Sequence, residues 1–259
     1  MVYYPSAVRI STVIIAQDEA ERLERCVRAC LPFSDEVLVV DGGSTDGTRE
    51  LAERLGCRVI ANDWPGYAEQ RNLGARAAAH DWIFSVDADE VVDDALAGAL
   101  GRLHDRAAND RPAYSVRRVN TFLGEPFPDS SEHKVRLYDR RRAEFTDAPV
   151  HEVVDVAVGE TETLPGHVLH ESHGDLEDAT RRLNRYTTLE AELAASRRGM
   201  RVWRLLLRPL LRFVHRYLLQ RSFRHGWKGL FFALNWAYWE LLREMKVYER
   251  RRARDERPR

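Results

Sequence analysis

The sequence predicts an α/β fold: a mainly parallel, twisted sheet flanked by helices, with a helical C-terminal extension. Two observations carry that prediction. Over residues 8–105, short apolar and β-branched runs alternate with helical spacing across short links. Such alternation builds parallel sheets with right-handed crossovers. Beyond residue 175, strand-like runs give way to long helical stretches rich in Arg and Trp.

Val8 to Ala16 is apolar and β-branched, a first strand. Asp18 to Cys30 has helical spacing, with Leu23, Val27 and Cys30 on one face. Glu36 to Val40 is a second strand, ending at Asp41. Gly42 to Gly47 reads as a helix entry, where Ser44 or Thr45 would cap and Asp46 would favour the helix dipole. A phosphate nest is the other reading of Gly42-Gly43-Ser44. Next come a helix from Thr48 to Leu55, a short strand from Cys57 to Ala61 and an Ala-rich helix from Tyr67 to His80. A fourth strand runs from Trp82 to Val86, and Asp94 to Leu103 adds a helix. After Asn109 the pattern changes, and 113–121, 134–138, 150–158 and 164–170 read as strands. Helical spacing resumes near Asp175 and runs to about Arg198. Pro209 punctuates the next stretch. A helical tail then reaches about Arg250, and the last residues read as disordered.

A chain of 259 residues suffices for one large domain, or a domain with an appendage. Its formal net charge of -1 hides a division. Residues 197–259 carry 18 Lys+Arg against 5 Asp+Glu, and the remainder 22 against 36. A basic tail on an acidic body points to an anionic partner. Cys26 and Cys30 lie four apart on a helix and match no zinc spacing; with Cys57 they read as reduced and partly buried. The opening Met-Val-Tyr-Tyr-Pro lacks the basic and apolar segments of a secretory leader. No stretch reaches the roughly 20 apolar residues of a membrane span. A cytoplasmic location is expected, peripheral on the inner face of the membrane.

Ile83 to Glu90 holds the main chemical signal. An apolar run ends in Asp87 and Asp89, two carboxylates spaced to face a hard cation such as Mg²⁺ or Mn²⁺ that carries phosphate oxygens. The plain alternative is an acidic turn, with Glu90 opening a helix cap. Gln17-Asp18-Glu19 and Asp41 fall at the ends of strands one and two, so three acidic strand ends share one crevice. Asp41 can accept from a uracil N–H or a ribose hydroxyl. No Gly-x-Gly-x-x-Gly and no Walker A sequence is present, which removes the main support for dinucleotide and P-loop readings.

Four motifs together resemble the family 2 glycosyltransferases, nucleotide-sugar enzymes of the GT-A fold. They are Val13-Ile14-Ile15-Ala16-Gln17-Asp18-Glu19, Val39-Val40-Asp41-Gly42-Gly43-Ser44, Gln70-Arg71-Asn72-Leu73-Gly74 and Val86-Asp87-Ala88-Asp89-Glu90, in the family's order. Asp18 stands where the family usually has Asn. Trp64-Pro65-Gly66-Tyr67, Val135-Arg136-Leu137-Tyr138, Val150-His151-Glu152 and Leu169-His170-Glu171-Ser172 look like the lipopolysaccharide core glucosyltransferase branch, the WaaE-like proteins. The resemblance implies a GT-A domain over 1–174; the helical extension over 175–259 is expected to associate with membrane on the character of its own helices. The resemblance also implies a metal-dependent inverting transfer of a hexose, glucose in that branch, from a UDP-sugar to a lipid-linked glycan. Ala16, Glu19, Asp41, Arg71 and Asp87 would bind the nucleotide-sugar, and Asp89 the metal. His170 is a further metal ligand or a structural hydrogen-bonder. The family's usual Glu-Asp pair for deprotonating the acceptor is missing. Glu152 is the candidate base, with Asp129 and Glu132 as rivals.

In the tail, Arg201, Arg204, Arg208, Arg212 and Arg216 recur at helical spacing and stack along one side. Leu230 to Leu242 is apolar nearly all round. Such basic and aromatic helices suit an anionic membrane surface, or they form a hairpin packed on the protein. The aromatics are grouped rather than spaced as stacking platforms, which speaks against nucleic acid. Two further readings compete with the transferase: a sugar-phosphate nucleotidyltransferase and a non-catalytic membrane scaffold. The first lacks its Gly-rich loop after strand one, and retention of all four motifs argues against the second.

Overall fold

The computed structural model describes residues 8–104, 111–122, 125–126, 131–146, 153–157, 161–171, 176–195 and 203–255. The chain divides into two compact units, residues 1–121 with 126–172, and residues 122–125 with 173–259.

The first unit is built on strand β1 (Ile10–Ala16), buried at all seven positions. Ile10, Ile14 and Ala16 enter one apolar cluster and Val13 and Ile15 another. A strand covered on both faces reads as an unbroken apolar run. Each fully buried Ile or Val contributes about 1.5–3 kcal/mol. The strand's hydroxyls are satisfied: Ser11 Oγ donates to Glu36 Oε2 at 2.6 Å, and Thr12 Oγ1 shares a 2.6 Å hydrogen bond with Ser34 Oγ.

Strands β2 (Glu36–Asp41) and β4 (Trp82–Asp87) flank β1 in parallel, and β3 (Arg58–Ala61) extends the sheet beyond β2. Helices α1 (Ala20–Cys30), α2 (Thr48–Arg54) and α4 (Asp94–Gly101) supply Leu23, Ala52 and Leu96 to the first cluster. Helix α3 (Tyr67–Ala77) packs on β1 and β2 from the other side. Gly74 permits that approach, because a Cβ there would run into Val13 and Val40. Pairing sets Ala16 opposite Asp41 and Ile15 opposite Asp87. Three neighbouring strands therefore end level, in the crevice where open α/β sheets take ligands.

Beyond β4 the sheet is mixed. Strand β7 (Glu132–Asp139) runs antiparallel to both β4 and β6 (Ala113–Phe122). Strand β8 (Thr161–His170) is parallel to β6, and β5 (Glu90–Val92) is antiparallel to β8. The order is β3-β2-β1-β4-β7-β6-β8-β5. This curled α/β sheet with flanking helices is a GT-A architecture. β5 went unforeseen because three residues show no periodicity. Glu90 thus opens a strand rather than a helix cap. The strand expected at 150–158 is absent over its described part, 153–157, where Val154 makes one isolated bridge to Phe145.

The second unit holds α5 (Leu176–Ala195), α6 (Trp203–Val214) and α7 (Gly226–Asp255), with a π-helical turn at His215–Leu219 and a 3₁₀ turn at Ser222–His225. Pro209 lies inside α6 rather than between helices. Helix α7 continues to Asp255, past the point where disorder was expected. An Arg250–Glu192 ion pair at 2.9 Å ties that last stretch to α5. The arginine stripe does not face outward as a cationic surface. Arg208 pairs with Glu244 and Arg212 with Glu240, each at 2.6 Å, across to α7.

Candidate active site

Two loops after β1 and β2 are laced together. Asp18 takes a left-handed conformation (φ 55°), which Asp tolerates better than most residues. Its backbone N–H donates to Ser44 Oγ at 2.9 Å, and its Oδ1 accepts from Thr45 N–H at 2.8 Å. Asp46 accepts from the N–H groups of Ala20 and Thr48, both at 3.0 Å. Burial raises the Asp46 pKa, but these bonds and the Thr48 hydroxyl outweigh it and hold the carboxyl below its ordinary value. Asp46, not Ser44 or Thr45, therefore serves the start of α2. The other two hold the β1 loop.

The expected nucleotide-side residues lie along this edge. Ala16 is buried, and its carbonyl accepts from Gly42 N–H at 2.8 Å. Asp41 is fully buried; Arg49 pairs with it at 3.0 Å, and the N–H groups of Gly43 and Ser44 approach at 3.3 Å. The Glu19 carboxylate sits 2.7 Å from Arg22.

Under β4 lies a charged network that sequence reasoning did not assemble. Arg71, buried on α3, donates to Ser85 Oγ at 3.0 Å and pairs with Asp87. Its guanidinium lies 5.2 Å from the centre of the Phe145 ring. Arg136 on β7 sits 3.7 Å from the other Asp87 oxygen and pairs with Glu90. Glu90 is fully buried, accepts from Asp87 N–H at 3.0 Å and from Arg118 at 2.8 Å. Burial alone would raise the Asp87 pKa, but Arg71, Arg136 and Arg118 outweigh it and hold the carboxyl far below its ordinary range. Arg118 also reaches Glu132 at 2.8 Å. Burial pushes the Glu132 pKa up, while Lys134 and Arg118 prevail and keep it lowered.

Asp89 points elsewhere. It is 8% exposed, and its Oδ2 lies 3.3 Å from His170 Nε2. Pairing of β8 with β5 and β6 sets His170 opposite both Glu90 and Asn120. His170 Nδ1 and Asn120 Oδ1 are 2.9 Å apart. An amide oxygen only accepts, so Nδ1 carries the proton. Nε2 is left facing the Asp89 carboxylate at 3.3 Å, either to donate to it or to share a cation with it. A divalent cation fits, because metal-binding imidazoles characteristically donate their second nitrogen to such a partner. No group of three His, Cys, Asp or Glu side chains that could hold a metal exists among the described residues. Of the described residues, Asp89 and His170 would hold such a cation and leave room for phosphate and water, which Mg²⁺ commonly keeps at nucleotide sites. Glu152 and Asp129 lie outside the described residues.

Residues 11–157 match the family model for glycosyl transferase family 2. The chain belongs to that family. Curated relatives of this transferase include an uncharacterized glycosyltransferase of Rickettsia prowazekii, 28% identical over 92% of this chain and 86% of the relative. The lipopolysaccharide core biosynthesis glycosyltransferase LpsC of Rhizobium meliloti is also 28% identical, over 93% of this chain and 92% of its own length. Among solved structures, glucosyl-3-phosphoglycerate synthase from Mycobacterium tuberculosis with Mn²⁺, UDP-glucose and phosphoglyceric acid overlaps 44% of each chain at 24% identity. The TM-score of that match is 0.37.

Proposed function

We propose that this transferase moves a hexose, glucose, from a UDP-sugar to a lipid-linked saccharide, an inner-core heptose of lipopolysaccharide or a similar glycan, with inversion. The observation that carries this reading is the Asp89–His170 pair beside the strand ends of Asp41 and Asp87. Likeness to a core-biosynthesis transferase along nearly the whole chain supports the acceptor class.

Asp89 and His170 would hold Mg²⁺ or Mn²⁺. When bound, that cation neutralises the diphosphate charge of the departing UDP. Ala16, Glu19 and Asp41 would seat the nucleoside, and Asp87 the ribose. Arg71 fixes Asp87 from below, and by its charge favours the diphosphate. The acceptor oxygen then bonds to the anomeric carbon as the bond to UDP breaks, and its proton passes to Glu152. Displacement in one step inverts that carbon. Glu132 is a poorer base, being ion-paired and held ionised by two cations.

Transfer of labelled glucose from UDP-glucose to heptose-bearing lipid A tests the assignment. Glu152→Gln should keep UDP-glucose binding and lose turnover. Full turnover in that variant would move the base to Asp129. No transfer from any UDP-hexose would remove the donor assignment.

A further inference from the structure

Helix α6 is turned inside out for a helix facing water. Its arginines recur every four residues and share one side. That side meets α7: Arg208 reaches Glu244, Arg212 reaches Glu240, and Arg216 lies 4.3 Å from the Trp236 ring centre. Glu240 is 5% exposed. The side facing away is leucine, with Leu206 at 78%, Leu210 at 57% and Leu211 at 56% exposure. A surface helix of a globular protein shows the opposite arrangement. The apolar edge continues through the two turns to the start of α7, where Leu219 is 72% and Trp227 64% exposed. Contiguous exposed apolar surface marks an interaction site.

Charge selects what covers it. No Asp or Glu occurs between Glu192 and Glu240, where ten Lys and Arg do. Arg221 and Arg224 are exposed beside Leu219 and Phe223, and Lys228 lies against the Trp227 ring at 5.9 Å. A second copy meeting this face with its own would set these cations against their own kind. A bilayer with anionic headgroups satisfies both the cations and the leucines. No described helix is long and apolar enough to cross a membrane. A short helix with an apolar face lies in the plane of the interface.

We propose that the leucine face of α6 and the turn at Ser222–His225 dock into the surface of an anionic phospholipid bilayer. This goes beyond the transfer reaction and is read without it, so either can fail alone. The full chain is sedimented with phosphatidylcholine vesicles, with and without phosphatidylglycerol. Binding should favour the anionic vesicles and weaken with salt. The double variant Leu206→Glu/Leu210→Glu, at positions turned away from α7, should lower the bound fraction about tenfold with unchanged circular dichroism and thermal midpoint. Arg221→Glu/Arg224→Glu should erase the preference for anionic lipid. Equal failure to bind either vesicle, or wild-type binding by the leucine variant, would overturn the proposal. So would a lipid-free dimer in sedimentation velocity that the leucine variant dissolves.

Discussion

Asn120 is not among the residues the motifs pointed to, yet it decides which nitrogen of His170 faces Asp89. Partners of this kind typically account for ten- to hundredfold of metal affinity. Asn120→Ala should therefore weaken Mn²⁺ binding in the presence of UDP about tenfold, measured by calorimetry. Unchanged affinity would show that the ring is oriented by something else. Glu90 has a different task, tying Arg118, Arg136 and the Asp87 N–H together at a fully buried point. Glu90→Ala leaves two guanidinium groups without it and should cost about 3–5 kcal/mol in urea unfolding. A loss below 1 kcal/mol, on the order of an exposed pair, would mean water replaces the carboxylate. Asp41, Asp87 and Asp89 were legible in the sequence because each ends or follows an apolar run. Arg118, Arg136 and Asn120 were not, because their roles depend on pairings between β6, β7 and β8 across tens of residues.

Among the elements, α3 links packing to chemistry most directly. Gly74 sits against Val13 and Val40, three residues after Arg71 on the same helix. Gly74→Ala should push α3 off the sheet and cost about 1–3 kcal/mol by overpacking, read from denaturant midpoints. Arg71 would shift with the helix, so transfer should fall more than stability alone explains. Normal activity with lowered stability would separate the two. Strands β1, β2 and β4 were legible because burial on both faces leaves a continuous apolar signature. The later strands were less so. β7 is buried only over its last four residues and β8 only at Leu164 and Val168, and β8 carries Gly166 at φ 92°, where a side chain would meet the backbone of Leu96. α6 was legible as basic and apolar, but not which side faced its neighbour. Glu240 and Glu244, some 30 residues on, settle that.

At the scale of the molecule, the charge division in the sequence has a structural counterpart. The strand ends that gather Asp41, Asp87 and Asp89 belong to the first unit, and the basic tail lies in the helical unit together with α5 from the acidic stretch. Cys26, Cys30 and Cys57 are free and buried. The account centres on Asp89 and His170 holding a divalent cation against the UDP-sugar. Thermal unfolding tests this with wild type and Asp89→Asn, each with UDP-glucose, Mn²⁺, both or neither. The wild type should gain stability strongly only with both together, about 2.7 kcal/mol at a hundredfold excess over Kd, and the variant should lose that joint gain. Equal stabilisation of the two proteins, or full stabilisation of wild type by UDP-glucose without metal, would contradict it.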